Sequence, residues 1–124
     1  MATMDIFVSF EFDKDRDLRD SFYEQAKLQT QHRIRNCSLR EAYPTEEWKR
    51  EAREAIRGCD VVIVLIGEDT HNAPGVRTEV DMARSFGKPT LQVRPKKRPY
   101  AGVAGVEDPI PWRWKQINRR LDEI

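Results

Sequence analysis

Glu79 sits where a helix in a folded domain carries a hydrophobic side chain. With residues 74 to 86 at about 100° per residue, Val76, Val80, Ala83 and Phe86 share one arc, and Glu79 falls inside it. A carboxylate in that position is paired, protonated or pointed into a cleft. Paired, it has Arg77 or Arg84 beside it, or lies at the helix edge with its head in water. Pointed into a cleft, it can stabilise positive charge developing on a bound ligand. Further polar residues follow the strand-like segments: Ser9 and Asp13 after the first, Ser38 after the second, Thr70 and His71 after the third. Each has an ordinary role when taken alone. Asp13 suits a helix cap, Ser9 a small residue in a turn, and His71 a loop histidine. In a parallel sheet these positions converge on one edge, where open α/β sheets bind ligands. Together with Glu79 they describe a small nucleotide or sugar pocket.

Other chemistries lack their motifs. There is no Walker-type glycine-lysine pattern, no GxGxxG and no GxSxG. A phosphoryl-receiver site needs an acidic pair after the first strand and an Asp after the third. Glu11, Asp13 and Asp69 do not match that spacing. Neither histidine has a ligand-type neighbour three or four residues on, so no metal site and no bound cofactor are expected. Cys37 and Cys59 lie without metal-type spacing and read as buried thiols.

The elements that would position these residues alternate along the chain. DIFVSF (5 to 10) reads as a buried strand. Asp13 then caps a helix with Leu18, Phe22 and Ala26 on one face. HRIRNCSL (32 to 39) is a weaker strand candidate, followed by the polar loop SLREAYPT. Thr45 is an N-cap with Glu46 and Glu47 in the first turn. Trp48, Ala52, Ala55 and Ile56 form the apolar face of that helix, which Gly58 ends. VVIVLIG (61 to 67) is the strongest strand signal. Its unbroken apolar run implies a central parallel strand buried on both faces. Pro74 opens the helix bearing Glu79, and Gly87 fits its C′ position. TLQV (90 to 93) is the next strand, residues 94 to 111 read as a long loop, and 112 to 124 as a terminal helix with Trp114, Ile117 and Leu121 on one face. The segment 108 to 111 has room for a fifth short strand but carries no clear signal of one. Alternation of this kind predicts an α/β fold with a doubly wound parallel sheet of four to five strands, a flavodoxin-like three-layer sandwich.

The 124 residues read as one domain spanning 1–124. The chain carries 22 basic and 21 acidic residues, a net charge of +1. That balance gives no long-range attraction to nucleic acid or anionic membrane. RPKKRP (94 to 99) is a compact basic cluster, read as a solvated loop rather than a nucleic-acid site. No apolar run approaches the roughly 20 residues needed to span a bilayer. The N-terminus lacks a signal-peptide pattern, so a cytoplasmic protein is expected.

Three segments resemble one known family. DIFVSFEFDKD is similar to the first box of TIR domains. SLREAYPTEEWKREAREAIRGCDVVIVLIGEDT resembles the loop, helix and third strand of the TIR-like family that includes the Thoeris antiphage protein ThsB. VRTEVDMARSFGKPTLQV resembles the helix that carries the catalytic glutamate of TIR enzymes and the strand after it. The resemblance implies cleavage of the nicotinamide–ribose bond of NAD, giving ADP-ribose or a cyclic ADP-ribose-type signal. It implies that this signal reaches a separate effector protein, and that self-association accompanies activation. It places the catalytic glutamate on Glu79 and nucleotide contacts on Ser9, Phe10, Phe12 and Asp13. The loop from Ser38 to Trp48 resembles the mobile loop that shapes the pocket. Many TIR enzymes carry a Trp four residues before the glutamate, and Gly75 stands there in this chain. Either Trp48 or His71 substitutes for it, or the pocket takes a different nucleotide. A non-catalytic TIR-like interaction or nucleotide-sensing module, and a nucleoside deoxyribosyltransferase-like enzyme, are the competing functions.

Overall fold

A computed structural model describes residues 3–39, 45–95 and 98–124. The order is β1 (Asp5–Ser9), α1 (Arg16–Gln29), β2 (Arg33–Cys37), α2 (Glu46–Arg57), β3 (Val61–Leu65), a short 3-10 turn (Thr70–Asn72), α3 (Pro74–Ser85), β4 (Thr90–Arg94), β5 (Ile110–Pro111) and α4 (Trp114–Asp122). All strand pairings are parallel, in the spatial order β2-β1-β3-β4-β5. This is the flavodoxin-like order, whose chain reversal opens a crevice beside β1 and β3.

β3 lies at the centre, and its period of two divides the core. Val61, Ile63 and Leu65 face one layer, packed with Phe22 of α1 and with Ile117 and Leu121 of α4. Val62 and Val64 face the other, where Ile56 of α2 and Val76, Val80 and Ala83 of α3 cover them. All five β3 residues are fully buried, as the unbroken apolar run predicts. β2 is an edge strand and correspondingly polar. Arg33 and Arg35 both pair with Asp5 of β1, at 2.8 and 3.1 Å, and such charges discourage strand addition at an open edge.

Several boundaries differ from expectation for local reasons. Asp13 does not cap α1. The amides of Lys14 and Asp15 both donate to the Glu11 carbonyl, and this turn delays the helix until Arg16. Asp15 takes the N-cap position, yet its side chain makes no capping bond. Its carboxylate instead accepts from the Thr70 hydroxyl at 3.2 Å. Thr45 does cap α2, its hydroxyl accepting from the Trp48 amide at 3.2 Å. Gly87 takes the positive φ of 67° expected at C′, whereas Gly58 ends α2 at an ordinary φ of −85°. The terminal helix starts at Trp114, not Trp112. The Trp112 amide donates to the Arg94 carbonyl at 2.9 Å, which extends the β4–β5 pairing and holds Trp112 outside the helix. The indoles of Trp112 and Trp114 both donate to Gln25, at 2.8 and 2.7 Å, and pack on Phe22.

Part of the 94–111 segment is anchored rather than loose. The buried Gln92 side chain accepts from the Val103 amide at 2.8 Å and donates to the Glu107 carbonyl at 2.9 Å. Cys37 and Cys59 are free thiols, packed in hydrophobic clusters on opposite faces of the sheet. Among the described residues no helix is long and apolar enough to cross a membrane, and no group of three or more His, Cys, Asp or Glu converges as a metal site.

Candidate active site

The site is built where β1 and β2 end against α3. Side chains alternate along β1, so Ser9 projects to the same face as Phe7, toward α3. On β2, strict alternation from Ile34, which packs on the α1 face, would carry Asn36 and Ser38 to that face as well. The register shifts instead: Ile34 stands opposite Ile6, and Asn36 opposite Phe7. A shift of one residue turns the following side chains over. Ser38 therefore meets Ser9 and Glu79 on the α3 side.

Glu79 is 1% exposed. One of its carboxylate oxygens, Oε1, accepts from the Ser9 hydroxyl at 2.7 Å and from the Ser38 hydroxyl at 2.6 Å. Ser38 in turn accepts from the Phe10 amide at 3.1 Å. A backbone N–H, two hydroxyls and a carboxylate thus form one buried chain, in which each bond polarises the next. Neither Arg77 nor Arg84 pairs with Glu79. Both line a separate hollow with His71, and Arg84 donates to the Gly105 carbonyl at 2.8 Å.

A cavity of about 320 Å³ opens beside this network. Phe7 lines it from β1 and Glu79 from α3, Asn36 and Cys37 from β2, and Leu39, Trp48, Arg50 and Glu51 from the loop and α2. Trp48 is 5% exposed, and its indole N–H donates to the Leu39 carbonyl at 3.3 Å, which fixes the ring at the cavity wall. An aromatic ring therefore stands over the cavity from α2, although Gly75 is buried in the first turn of α3 where TIR enzymes carry theirs. Burial pushes the Cys37 thiol upward from its ordinary value, with Arg19 opposing, so at neutral pH it is a protonated thiol and a poor nucleophile.

The structure brings together Ser9, Ser38, Trp48, Glu79 and the Phe10 backbone. It does not bring the other expected residues to the cavity. The Phe10 ring is buried in the core on the α1 side, and Phe12 packs beside it at 5.8 Å with the Arg16 guanidinium over its ring. Asp13 is exposed on the β1–α1 turn. Thr70 is fully buried, and its hydroxyl accepts from the Gly67 amide at 2.7 Å while facing Asp15. It is spent on the turn after β3. A Cβ on Gly67 would overlap the Asp15 carboxylate, so a larger residue there displaces that side chain from Thr70. The 3-10 turn carries His71 to the far flank of α3. Residues 40–44 of the expected mobile loop lie outside the described residues. Asn36, Cys37, Arg50 and Glu51 escape the sequence reading. Asn36 depends on the β2 register shift, Cys37 reads only as a buried thiol, and the last two look like the solvated face of an amphipathic helix.

The fold has close counterparts among solved structures. The Clostridium botulinum CMP N-glycosidase BcmB matches with a TM-score of 0.54 at 17% identity, over 95% of this chain and 99% of that one. The TIR domains of the activated Roq1 resistosome, which directly recognizes the pathogen effector XopQ, match with a TM-score of 0.53 at 13% identity, over 78% of this chain and 60% of that one. At these identities the likeness defines the class by its fold: a TIR-like α/β sandwich. The model of the TIR-like domain of the Thoeris protein ThsB matches residues 7–100. The chain belongs to that family. No curated protein matches the sequence.

Proposed function

We propose that this protein cleaves the nicotinamide–ribose bond of NAD with Glu79 as its catalytic carboxylate. In this reading it yields ADP-ribose or a cyclic ADP-ribose-type signal for a separate effector, in cytoplasmic antiphage defence, with self-association on activation. One observation carries the reading: a fully buried glutamate, oriented by two short serine hydrogen bonds, lines a cavity of about 320 Å³ that also holds an indole. A hydrophobic core does not need this arrangement, since burying a carboxylate costs free energy unless it is bonded. Family membership agrees with the assignment but does not fix an activity.

The chemistry follows from charge. The nicotinamide of NAD is a cationic ring, and as the C1′–N bond breaks its electron pair returns to the ring nitrogen and the base departs neutral. No general acid is required. Positive charge develops on the ribose, as in glycoside cleavage. A carboxylate already aimed at that ribose stabilises the charge without reorganising. Ser9 and Ser38 are positioning residues: they hold Oε1 so that the carboxylate cannot swing. Water, or a nucleophilic group of the nucleotide itself, then attacks C1′ and loses its proton. Trp48 supplies a face for a flat base or pyridine ring. At about 320 Å³ the cavity lies at the small end of the range of about 300–1,000 Å³ for small-molecule sites. A dinucleotide therefore places one half inside and the other over the rim.

The same volume favours one second reading. A nucleoside monophosphate is of a size with the cavity, and the structural counterpart covering nearly the whole chain is a CMP N-glycosidase. Cleavage of a pyrimidine N-glycosidic bond would use Glu79 to stabilise the same ribose cation, while cytosine, which leaves with the bonding electron pair, would take a proton from water as it departs. The two readings separate on substrate. Nicotinamide release from NAD is measured for wild type and Glu79→Gln at matched concentration. Gln keeps the shape and an acceptor oxygen for both serines while removing the charge. A rate loss of about 10²–10³ is expected, the size found for one preorganised electrostatic contact. Equal rates in the two proteins overturn the assignment.

A further inference from the structure

A second concave site lies at the opposite edge of the sheet from β2, where the ends of β4 and β5 meet. It is a groove of about 620 Å³ lined by Arg94, Arg98, Arg113 and Trp112, with apolar walls that include Pro99 and Pro111. No carboxylate lines it among the described residues. Some arginines elsewhere are neutralised: Arg33 and Arg35 pair with Asp5, and Arg120 pairs with Glu107 at 2.7 Å. The three groove arginines form no ion pair with any described residue. Arg94 donates to the Tyr100 carbonyl at 3.0 Å, which fixes its guanidinium without cancelling its charge.

The start of α4 adds a second sign of the same kind. Arg113 holds the N-cap position and makes no capping bond. Acceptors such as Ser or Asp belong there, and a cation is opposed by the positive end of the helix dipole. An anion held among these guanidiniums relieves both the mutual repulsion and the helix-end conflict. Planar guanidinium forks match phosphate oxygens in bidentate fashion. The proline walls offer no N–H donors, so recognition falls to the arginines. Trp112 is held by its bond to Gln25 and its edge contact with Phe22, and it presents an aromatic surface beside the charges.

We propose that this groove binds a nucleotide carrying two or more phosphates, with the arginines on the phosphates and Trp112 beside the base. The site is independent of the Glu79 reading. Calorimetric titration of the full chain with ATP at low ionic strength tests it. Wild type and Glu79→Gln are expected to bind one ATP with equal affinity. The double variant Arg98→Gln/Arg113→Gln, which alters two exposed side chains, is expected to bind at least about tenfold more weakly, the scale of one charged hydrogen bond. Unchanged circular dichroism in that variant shows that the fold is kept. Pyrophosphate is expected to compete and adenosine is not. Unchanged affinity in the double variant, loss of binding in Glu79→Gln, or no binding by wild type overturns the proposal. Tighter binding of a single-stranded oligothymidylate than of ATP, lost with the same two arginines, also overturns it and makes nucleic acid the occupant.

Discussion

Ser9→Ala removes one of the two serine hydroxyls that, among the described residues, bond Glu79, and its consequences differ from those of Ser38→Ala in a way the structure sets. Oε1 accepts from both, at 2.7 and 2.6 Å. A hydrogen bond to a charged group is worth about 1.5–3 kcal/mol. If that sum is lost from the transition state, the rate falls roughly 10- to 150-fold. Because the fault lies in aiming the carboxylate, kcat falls while KM stays near wild type. Ser38 has a second duty, since its oxygen accepts from the buried Phe10 amide at 3.1 Å. Ser38→Ala orphans that N–H and costs a further 1–3 kcal/mol of stability, roughly, whereas Ser9→Ala leaves no backbone donor unpaired. The assay pairs steady-state nicotinamide release from NAD with urea unfolding of each variant. Both variants are expected to be slow, and Ser38→Ala to be the less stable. The double variant is expected to lose less than the product of the two single losses, because the hydroxyls share one acceptor. A folded Ser9→Ala enzyme at the full wild-type rate would refute the positioning argument.

Replacing Trp48 with Leu removes the ring over the cavity. Stacking of a base on an aromatic ring is worth about 1–3 kcal/mol, so KM for the nucleotide is expected to rise roughly 5- to 150-fold, with Trp48→Phe recovering most of it in the same kinetic assay. Gly67→Ala drives a methyl group into the Asp15 carboxylate and is expected to cost about 1–3 kcal/mol. Combining it with Asp15→Ala is expected to restore part of that loss in a urea double-mutant cycle, and strict additivity would count against the contact. The hydrogen bond from Arg33 holds Asp5 below its ordinary pKa, and that from Lys14 holds Asp69 below its own. Each folded value lies under the unfolded one, so the stabilisation is complete above the ordinary carboxylate pKa and is lost as pH falls through the lowered folded value. Asp15 behaves oppositely: burial, offset in part by the Thr70 bond, raises its pKa, so its contribution weakens as pH rises between the ordinary and raised values. The variant Asp5→Asn/Asp69→Asn is expected to be less stable than wild type at pH 7 and to converge on it in acid, read from urea midpoints across the range.

What the sequence revealed here was whatever periodicity controls. The unbroken apolar run of β3, the capped amphipathic α2 and the polar intruder in the α3 arc all rest on local patterns, and all three hold in the structure. Ser9 and Ser38 were legible as strand-end residues. Their shared acceptor was not, because it depends on a register shift in β2 that leaves no mark on hydrophobic alternation. Thr70 and His71 look equivalent in the sequence, two polar residues after the central strand. The 3-10 turn sends one inward to the Gly67–Asp15 lock and the other to the far flank of α3. The extra turn before α1 likewise exchanged Asp13 for Asp15, since either aspartate satisfies a capping rule until the Glu11 carbonyl is seen to take two amides. Gln92 and Trp112 anchor a segment that composition alone presents as loop, through contacts with side chains and carbonyls far along the chain.

The most direct test of the central claim is mass spectrometry of NAD and of CMP, each incubated with concentrated wild-type protein and with Glu79→Gln whose fold is verified by circular dichroism. The account predicts that wild type releases nicotinamide from NAD, leaving ADP-ribose or its cyclic isomer, and that the charge-free variant does not. Release of cytosine from CMP alone, again lost in the variant, would keep Glu79 as the catalytic group and transfer the substrate to the nucleoside monophosphate. Equal release by both proteins, or none by wild type from either nucleotide, would contradict the claim that this buried carboxylate breaks an N-glycosidic bond.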